Sequence, residues 1–163
     1  MVDGLFLPEL AERYVAYRRT YFFQDKEHFL NPEKKVFDKD RIIEFLNDKG
    51  IALYDTASAI RRLQDNASDK FLEVIEQTDI SLLLKQIPMC KAIVTTGQKA
   101  TDIIREQIEV KEPTVGTSEP FEFGDKAMKL YRMPSSSRAY PLALEKKAAA
   151  YRVMFNELGL LNE

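Results

Sequence analysis

The stretch that most constrains the fold is residues 129–140, where an alternating strand pattern runs into a hydroxyl-rich turn and then into a helical pattern. In a period-2 segment, Leu130 and Arg132 would lie on one face of a strand and Tyr131 and Met133 on the other. Pro134 must end this strand because it lacks a backbone N–H and fixes φ. The sequence therefore predicts a strand over residues 128–133 and a helix from about residue 141 to residue 158.

The turn between this strand and this helix carries four polar residues in a row: Ser135, Ser136, Ser137 and Arg138. Small hydroxyls, backbone N–H groups and a guanidinium at a helix N-terminus suit a bound phosphate. The same residues suit a plainer role, because Ser is a favoured N-cap and Pro141 fits a first helical turn. The residues alone leave open whether the segment binds phosphate or only caps the helix.

Strand and helix patterns alternate along the chain, which predicts an α/β fold with a mainly parallel sheet. Short apolar runs at residues 51–54 and 92–95 predict two more parallel strands, and residues 121–123 suit a short edge strand. The other segments have helical patterns. They are residues 8–21, the residues from a cap at Asp38 or Asp40 to Gly50, residues 57–86 with two turns, and the residues around 100–104.

Candidate site residues follow the predicted strands, since ligands of parallel α/β sheets bind at the carboxyl ends of strands. Asp55 follows the first predicted strand, and Thr96 and Gly97 follow the second. Gly97 suits a positive φ or a close approach of the backbone to a ligand, although an ordinary turn glycine fits equally well. We expect these residues and residues 134–138 to gather at one edge of the sheet.

Composition excludes several classes of protein. The 163 residues, 45% of them hydrophobic, are enough for one domain with a core. The single cysteine, Cys90, allows no internal disulfide and suits a small buried hydrophobe, and the single histidine, His28, lies in a polar run. One Cys and one His argue against a zinc site, and we expect no metal and no other cofactor.

Charge and hydropathy bear on partners and location. No apolar segment reaches about 18 residues and no signal peptide is recognisable, which predicts a cytoplasmic protein without membrane contact. The formal net charge of -2 gives no global attraction for nucleic acid. Any DNA contact must therefore come from a local patch.

The run from Met133 to Arg152, Met-Pro-Ser-Ser-Ser-Arg-Ala-Tyr-Pro-Leu-Ala-Leu-Glu-Lys-Lys-Ala-Ala-Ala-Tyr-Arg, resembles the second signature motif of the uracil-DNA glycosylase superfamily. Its hypoxanthine-DNA glycosylase-like branch has an apolar residue, Pro-Ser-Thr/Ser-Ser, Ala-Tyr or Ala-Asn, and a Glu-x-Lys before an aromatic-Arg pair. The matching positions here are Glu145, Lys147, Tyr151 and Arg152.

Two other segments extend the resemblance to about residues 36–160, leaving residues 1–35 divergent. Gly50-Ile-Ala-Leu-Tyr-Asp55 resembles the family's second strand, and Val94-Thr-Thr-Gly-Gln-Lys-Ala100 resembles its third-strand motif. The family's first motif, a Gly-Ser-Phe-Pro-type loop followed by a Tyr-Tyr-x-x-Pro-x-Asn segment, is not found in this sequence.

The resemblance implies one three-layer α/β/α domain over residues 1–163, with a short, mainly parallel central sheet that lacks the family's first strand. It also implies a DNA-repair enzyme that flips uracil or hypoxanthine out of the duplex and hydrolyses its N-glycosidic bond. Pro134, Ser135, Ser136 and Ser137 would then press on the phosphates beside the flipped nucleotide, and Ser137 or Arg138 would contact the vacated stack. Asp55, Thr96 and Gly97 would line the base pocket.

The catalytic residue is left open, because the first motif of the family supplies the Asn or Asp that positions water. Glu9 stands roughly in that place, and Asp55 is the second candidate for a general base. Glu9 also suits the first turn of a helix, where the dipole favours an acid. Two functions therefore remain, a glycosylase with reduced or no activity and a non-catalytic nucleic-acid or phosphate-binding module; the damaged base and the oligomeric state stay undetermined.

Overall fold

The computed structural model describes residues 38–62, 72–137 and 140–161. This part of the chain is mixed α/β, with four helices and two small sheets. Its elements in chain order are α1 (Lys39–Asp48), β1 (Ala57–Arg62), β2 (Leu72–Gln77), α2 (Ile80–Gln86), β3 (Ala92–Thr95), α3 (Gln98–Gln107), β4 (Thr117–Phe123), β5 (Lys126–Arg132) and α4 (Leu144–Glu157).

The chain divides into two compact units, one of residues 1–54 with 155–163 and one of residues 55–154. The predicted helix over residues 8–21 lies outside the described residues, as do Glu9 and His28. The predicted sheet and the candidate site therefore concern the second unit.

In the first unit, the predicted helix from Asp38 to Gly50 is confirmed. Asp38 is the N-cap of α1, and its Oδ1 accepts hydrogen bonds from the N–H groups of Asp40 and Arg41. At the other end the N–H of Gly50 donates to Asn47 O and the N–H of Ile51 donates to Leu46 O. This pair of bonds, with Gly50 at φ +63°, is the Schellman motif that ends many helices.

In the second unit, a three-stranded sheet has the order β3, β5, β4. β3 and β5 are parallel, with Ala92 opposite Lys129 and Thr95 opposite Arg132. β4 and β5 are antiparallel and are joined by a tight turn at residues 124–125. The predicted strands at residues 92–95 and 128–133 are confirmed as a parallel pair, and the predicted edge strand is longer than expected. The prediction of a mainly parallel sheet is wrong, because β4 pairs antiparallel with β5 and makes the sheet mixed.

The core of this unit lies against β5. Met128 and Leu130 project from one face into a cluster with residues of α2, α3 and β4, namely Ile80, Leu84, Ile104, Ile108 and Phe121. Tyr131, which points to the opposite face, is only 2% exposed. β5 is thus buried on both faces only toward its carboxyl end, since Ala127 and Lys129 on the face of Tyr131 are exposed. The sequence located this strand by its period-2 pattern and by the proline that follows it. Cys90, predicted to be a buried hydrophobe, packs against this cluster but is only half-buried, and burial raises the pKa of its thiol.

Two predictions about the segment between α1 and α2 are wrong. Residues 51–54 form no strand, in part because the N–H of Ile51 is used to close α1. Residues 57–62 and 72–77, predicted as helical, form an antiparallel hairpin of β1 and β2. These segments contain strong helix formers, but cross-strand pairing overrides that intrinsic preference.

The hairpin is attached to the helices of its unit by polar contacts around Gln107. The Gln107 Oε1 accepts from the N–H of Ile80 at 3.0 Å, and its Nε2 donates to the Thr78 carbonyl at 3.0 Å. The Thr78 hydroxyl in turn donates to the Asp55 carbonyl at 2.7 Å. The chain before β1, the end of β2 and the end of α3 are thus tied together by hydrogen bonds.

Candidate functional site

The carboxyl ends of β3 and β5 lie at the same edge of the sheet because these two strands are parallel. The N–H of Met133 donates to Thr95 O at 2.8 Å, so the pairing continues to the last residue of β3. Thr96 and Gly97 follow β3, and Pro134 to Ser137 follow β5; we name residues 134–137 the serine turn. The structure therefore brings the predicted residues Thr96, Gly97 and the three serines to one edge.

Gly97 lies beside the serine turn. A Cβ built on Gly97 would stand 3.8 Å from Ser135 Cβ, an ordinary van der Waals contact. The backbone of Gly97 has φ +144° and ψ 171°, a region that only glycine occupies without strain of about 1–3 kcal/mol. The predicted need for a positive φ is confirmed, whereas the approach of a ligand to this backbone stays a prediction.

Two buried threonine hydroxyls join β3, β5 and the first turn of α3. Thr95 Oγ1 lies 2.8 Å from Thr101 Oγ1 and 3.1 Å from the Tyr131 carbonyl, and Thr101 Oγ1 lies 2.8 Å from the Gly97 carbonyl. The two hydroxyls have only two protons for these three hydrogen bonds, so at any moment two of the three bonds are formed. Because buried hydroxyls keep their hydrogen-bond partners, this network fixes the position of Gly97 relative to the end of β5.

Two side chains of α4 hold the serine turn through hydrogen bonds to its carbonyl groups. The Tyr151 hydroxyl donates to the Pro134 carbonyl at 3.1 Å, and Lys147 Nζ donates to the Ser137 carbonyl at 2.8 Å. Lys147 and Tyr151 are four residues apart and so lie on one face of α4. Their two bonds fix the first and the last carbonyl of the turn.

Lys147 is 4% exposed, which is unusual for a lysine. Its ammonium also lies 5.2 Å from the centroid of the Tyr140 ring, within the range of a cation–π contact. Burial lowers the pKa of Lys147. Sequence reasoning placed Lys147 in the family-like pattern but missed this anchoring role; the spacing between Lys147 and Tyr151 was the available signal.

The serines do not cap α4, because that helix begins at Leu144. Instead Ser135 Oγ accepts the N–H of Ser137 at 3.2 Å, a local hydrogen bond within the turn. The capping interpretation of the serines is therefore wrong, and so is the expectation that the N-terminus of α4 lies directly at the serines. What remains for a phosphate is a turn of hydroxyls and amides fixed by α4.

A charged cluster lies beside this edge at the end of β5. The Arg132 guanidinium donates to Glu112 Oε1 at 2.8 Å and to the Pro113 carbonyl at 3.2 Å, and it also contacts Gln98. Arg105 pairs with Glu112 at 3.1 Å. The hydrogen bond from Gln98, and then the charges of Arg105 and Arg132, lower the pKa of Glu112. Arg132 is thus engaged by a carboxylate that stays ionised at neutral pH.

The sequence argument fails for one predicted site residue, and two others lie outside the described residues. Asp55 does not follow a strand, because residues 51–54 form none, and it precedes the hairpin with its carbonyl bound to Thr78. The argument that delivered Asp55 to the carboxyl edge of the sheet therefore fails. Arg138 and Glu9 lie outside the described residues.

Two kinds of feature are absent from the described residues. No helix among them is long and apolar enough to cross a membrane. Across the same ranges, no group of three or more His, Cys, Asp and Glu side chains is placed to hold a metal ion. Comparison of the chain with protein-family models, with curated proteins and with solved structures finds no match.

Proposed function

We propose that this protein binds DNA and, in the manner of the uracil-DNA glycosylase superfamily, excises a deaminated base, uracil or hypoxanthine, by hydrolysing its N-glycosidic bond. One observation supports the proposal most. The serine turn lies beside Gly97 at the carboxyl edge of the parallel β3–β5 pair, where an α/β protein accepts its ligand. A three-layer α/β/α arrangement around this pair belongs to the proposal.

In this proposal the serine turn presses on the phosphates beside the target nucleotide. Its three serines are half-buried, and α4 keeps the turn in place through Lys147 and Tyr151. Arg138 follows directly in the sequence, and in this proposal its guanidinium binds the DNA backbone. Since the net charge is -2, this local group has to provide the attraction for the DNA backbone.

The flipped base would enter beside the end of β3. Thr96 is exposed there, and its hydroxyl can donate or accept a hydrogen bond at the polar edge of a base. Gly97 has no side chain, so its backbone allows a close approach. Cleavage then needs a positioned water, and no cofactor is required for hydrolysis through an oxocarbenium-like state.

A second candidate function, a non-catalytic nucleic-acid or phosphate-binding module, is favoured by the position of Asp55. Of the two candidates for the general base, Asp55 is the one that lies within the described residues. It precedes the hairpin and does not follow a strand of the three-stranded sheet. Without a group that orients water, excision slows by about 10²- to 10⁴-fold. The binding half of the proposal does not depend on Asp55.

Binding and excision can be measured on the same substrates. Labelled duplexes with one uracil, one hypoxanthine or no modified base are titrated with the full chain, then incubated and treated with alkali to cleave abasic sites. We expect tighter binding to a modified duplex, and slow excision. Tight binding without any excision supports the module instead, and an absence of binding to all duplexes contradicts both functions.

A pair of matched variants locates the contact. Ser136→Asp places a carboxylate in the serine turn, and Ser58→Asp places the same charge on the exposed hairpin. We expect Ser136→Asp to weaken duplex binding clearly more than Ser58→Asp, because only the first opposes the DNA phosphates. Equal losses for the two variants would remove the serine turn from the interface.

A further inference from the structure

The burial of Lys147 requires an explanation. A buried ammonium is costly unless it is hydrogen-bonded, and the adjacent Lys146 shows that the same turn of α4 can place a lysine in solvent. Lys147 instead points inward, with Nζ 2.8 Å from the Ser137 carbonyl and over the ring of Tyr140. The Lys147 ammonium is therefore hydrogen-bonded to the backbone of the serine turn.

We propose that Lys147 and Tyr151 are positioning residues that hold the serine turn in its DNA-binding conformation; this inference rests on the proposed function. Both side chains bind carbonyl oxygens, at Ser137 and Pro134 respectively. Carbonyl oxygens carry partial negative charge and repel a phosphate, whereas amide N–H groups attract it. Two donors on one face of α4 thus draw the repelling oxygens of the turn toward the protein.

The geometry of the peptide bond completes the argument. The described peptides are trans, so the N–H of each unit points away from the carbonyl of the same unit. When Tyr151 holds the Pro134 carbonyl toward α4, the N–H of Ser135 is directed away from α4. The anchors therefore act on the orientation of the turn, and they do so without touching the DNA.

The test uses three variants of the full chain. Lys147→Met removes the charge and keeps most of the side-chain volume, and Tyr151→Phe removes only the hydroxyl on Pro134. Lys146→Met is the matched control, since it removes one positive charge from the same turn of α4 without touching the serine turn. Circular dichroism and thermal melting show whether each variant is folded.

Two readouts are then compared. Amide exchange at Ser137, whose N–H donates to Ser135 Oγ, is followed by NMR in the free protein. It is expected to rise about tenfold or more in Lys147→Met and Tyr151→Phe, and to stay unchanged in Lys146→Met. Affinity for a uracil duplex should fall by about tenfold in both anchor variants, while the salt dependence of binding changes by less than one phosphate contact. A merely structural role would leave turn exchange and affinity unchanged in the folded variants.

The outcomes separate the inference from the proposed function. If Lys147→Met and Tyr151→Phe are folded and their turn amides exchange as in the parent chain, the positioning role is overturned whatever the DNA result. If Lys147→Met does not fold, Tyr151→Phe decides alone. If the parent chain binds no duplex, the proposed function fails, and the exchange rates still decide whether the two side chains hold the turn.

Discussion

The two sheets of this protein are stabilised in different ways. In the three-stranded sheet, Met128, Leu130 and Tyr131 of β5 are buried, Leu130 fully. In the hairpin of β1 and β2, the large apolar side chains of Ile60 and Ile75 are 48% and 52% exposed. The difference teaches that packing fixes the three-stranded sheet, whereas the hairpin depends on cross-strand pairing and on its attachment around Gln107. A site that needs a fixed geometry is better placed on the first.

The largest expected difference between the two sheets is in their cores. Leu130→Ala deletes a fully buried side chain and should lower the free energy of unfolding by about 2–5 kcal/mol. Ile60→Ala acts on a half-exposed strand residue and should cost less than about 1 kcal/mol. Urea denaturation of both variants measures this. Similar losses would mean that the hairpin is packed as tightly as the sheet.

Buried hydroxyls give the second contrast. Thr101→Val keeps the shape of a fully buried side chain but removes its bonds to Thr95 and Gly97, which should cost about 1–3 kcal/mol. Ser58→Ala on the hairpin removes an exposed hydroxyl that donates to the Glu76 carbonyl, and a loss within about 0.5 kcal/mol is expected. Thermal unfolding of the two variants measures both effects, and a larger loss for Ser58→Ala would reverse the comparison.

DNA binding should distinguish the two sheets by charge. Arg138→Ala is expected to weaken duplex binding and to flatten its salt dependence by about one phosphate contact. Arg61→Ala, which removes a cation paired with Glu73 on the hairpin, should leave the salt dependence unchanged. Titrations over a range of salt concentrations give both slopes. If Arg138→Ala keeps the parental slope, Arg138 contacts no phosphate.

The smallest effect is expected from two surface carboxylates. Glu112 has a lowered pKa, so the stability it contributes is present above its ordinary pKa of 4.5 and is lost as the pH falls through the lowered value. Glu112→Gln should therefore be less stable than the parent at neutral pH, with the difference vanishing in acid once the pH is below the lowered pKa of Glu112. Glu73→Gln on the hairpin breaks an exposed ion pair worth about 0–1 kcal/mol. Denaturation at both pH values measures the two variants, and a Glu112→Gln difference that persists in acid would show that its cause is not charge.

Much of the three-stranded sheet could be predicted from the sequence, because its signals are local and strong. The apolar run of β3 and the period-2 pattern of β5 indicate the strands, and the glycine after β3 and the proline after β5 mark their ends within a few residues. α1 was equally readable from Asp38 and Gly50. These elements agree with their own local preferences, so the predicted parallel pair is the pair observed.

The hairpin could not be predicted in this way. Its strands read Ala-Ser-Ala-Ile-Arg-Arg and Leu-Glu-Val-Ile-Glu-Gln, which contain many residues that favour helices. They become strands because each supplies the backbone partners of the other. The error carried over to Asp55, since its place in the site depended on a strand at residues 51–54.

Only one part of the candidate site could be predicted from the sequence. The three serines, Thr96 and Gly97 stand in the sequence next to predicted strands, and the parallel pairing brings them together. The anchors Lys147 and Tyr151 reach the turn from 10 and 17 residues away in sequence. Helical periodicity places them on one face of α4, but only the fold shows that this face meets the serine turn.

The central claim, that the edge formed by the ends of β3 and β5 binds DNA, is tested most directly by NMR titration of the full chain with a duplex that contains one uracil. Amide shifts should change most at Thr96, Gly97 and residues 135–137, and those of Ile60 and Ile75 on the hairpin should stay in place. Shifts centred on the hairpin, or binding of the duplex without any change in the serine turn, would contradict the account.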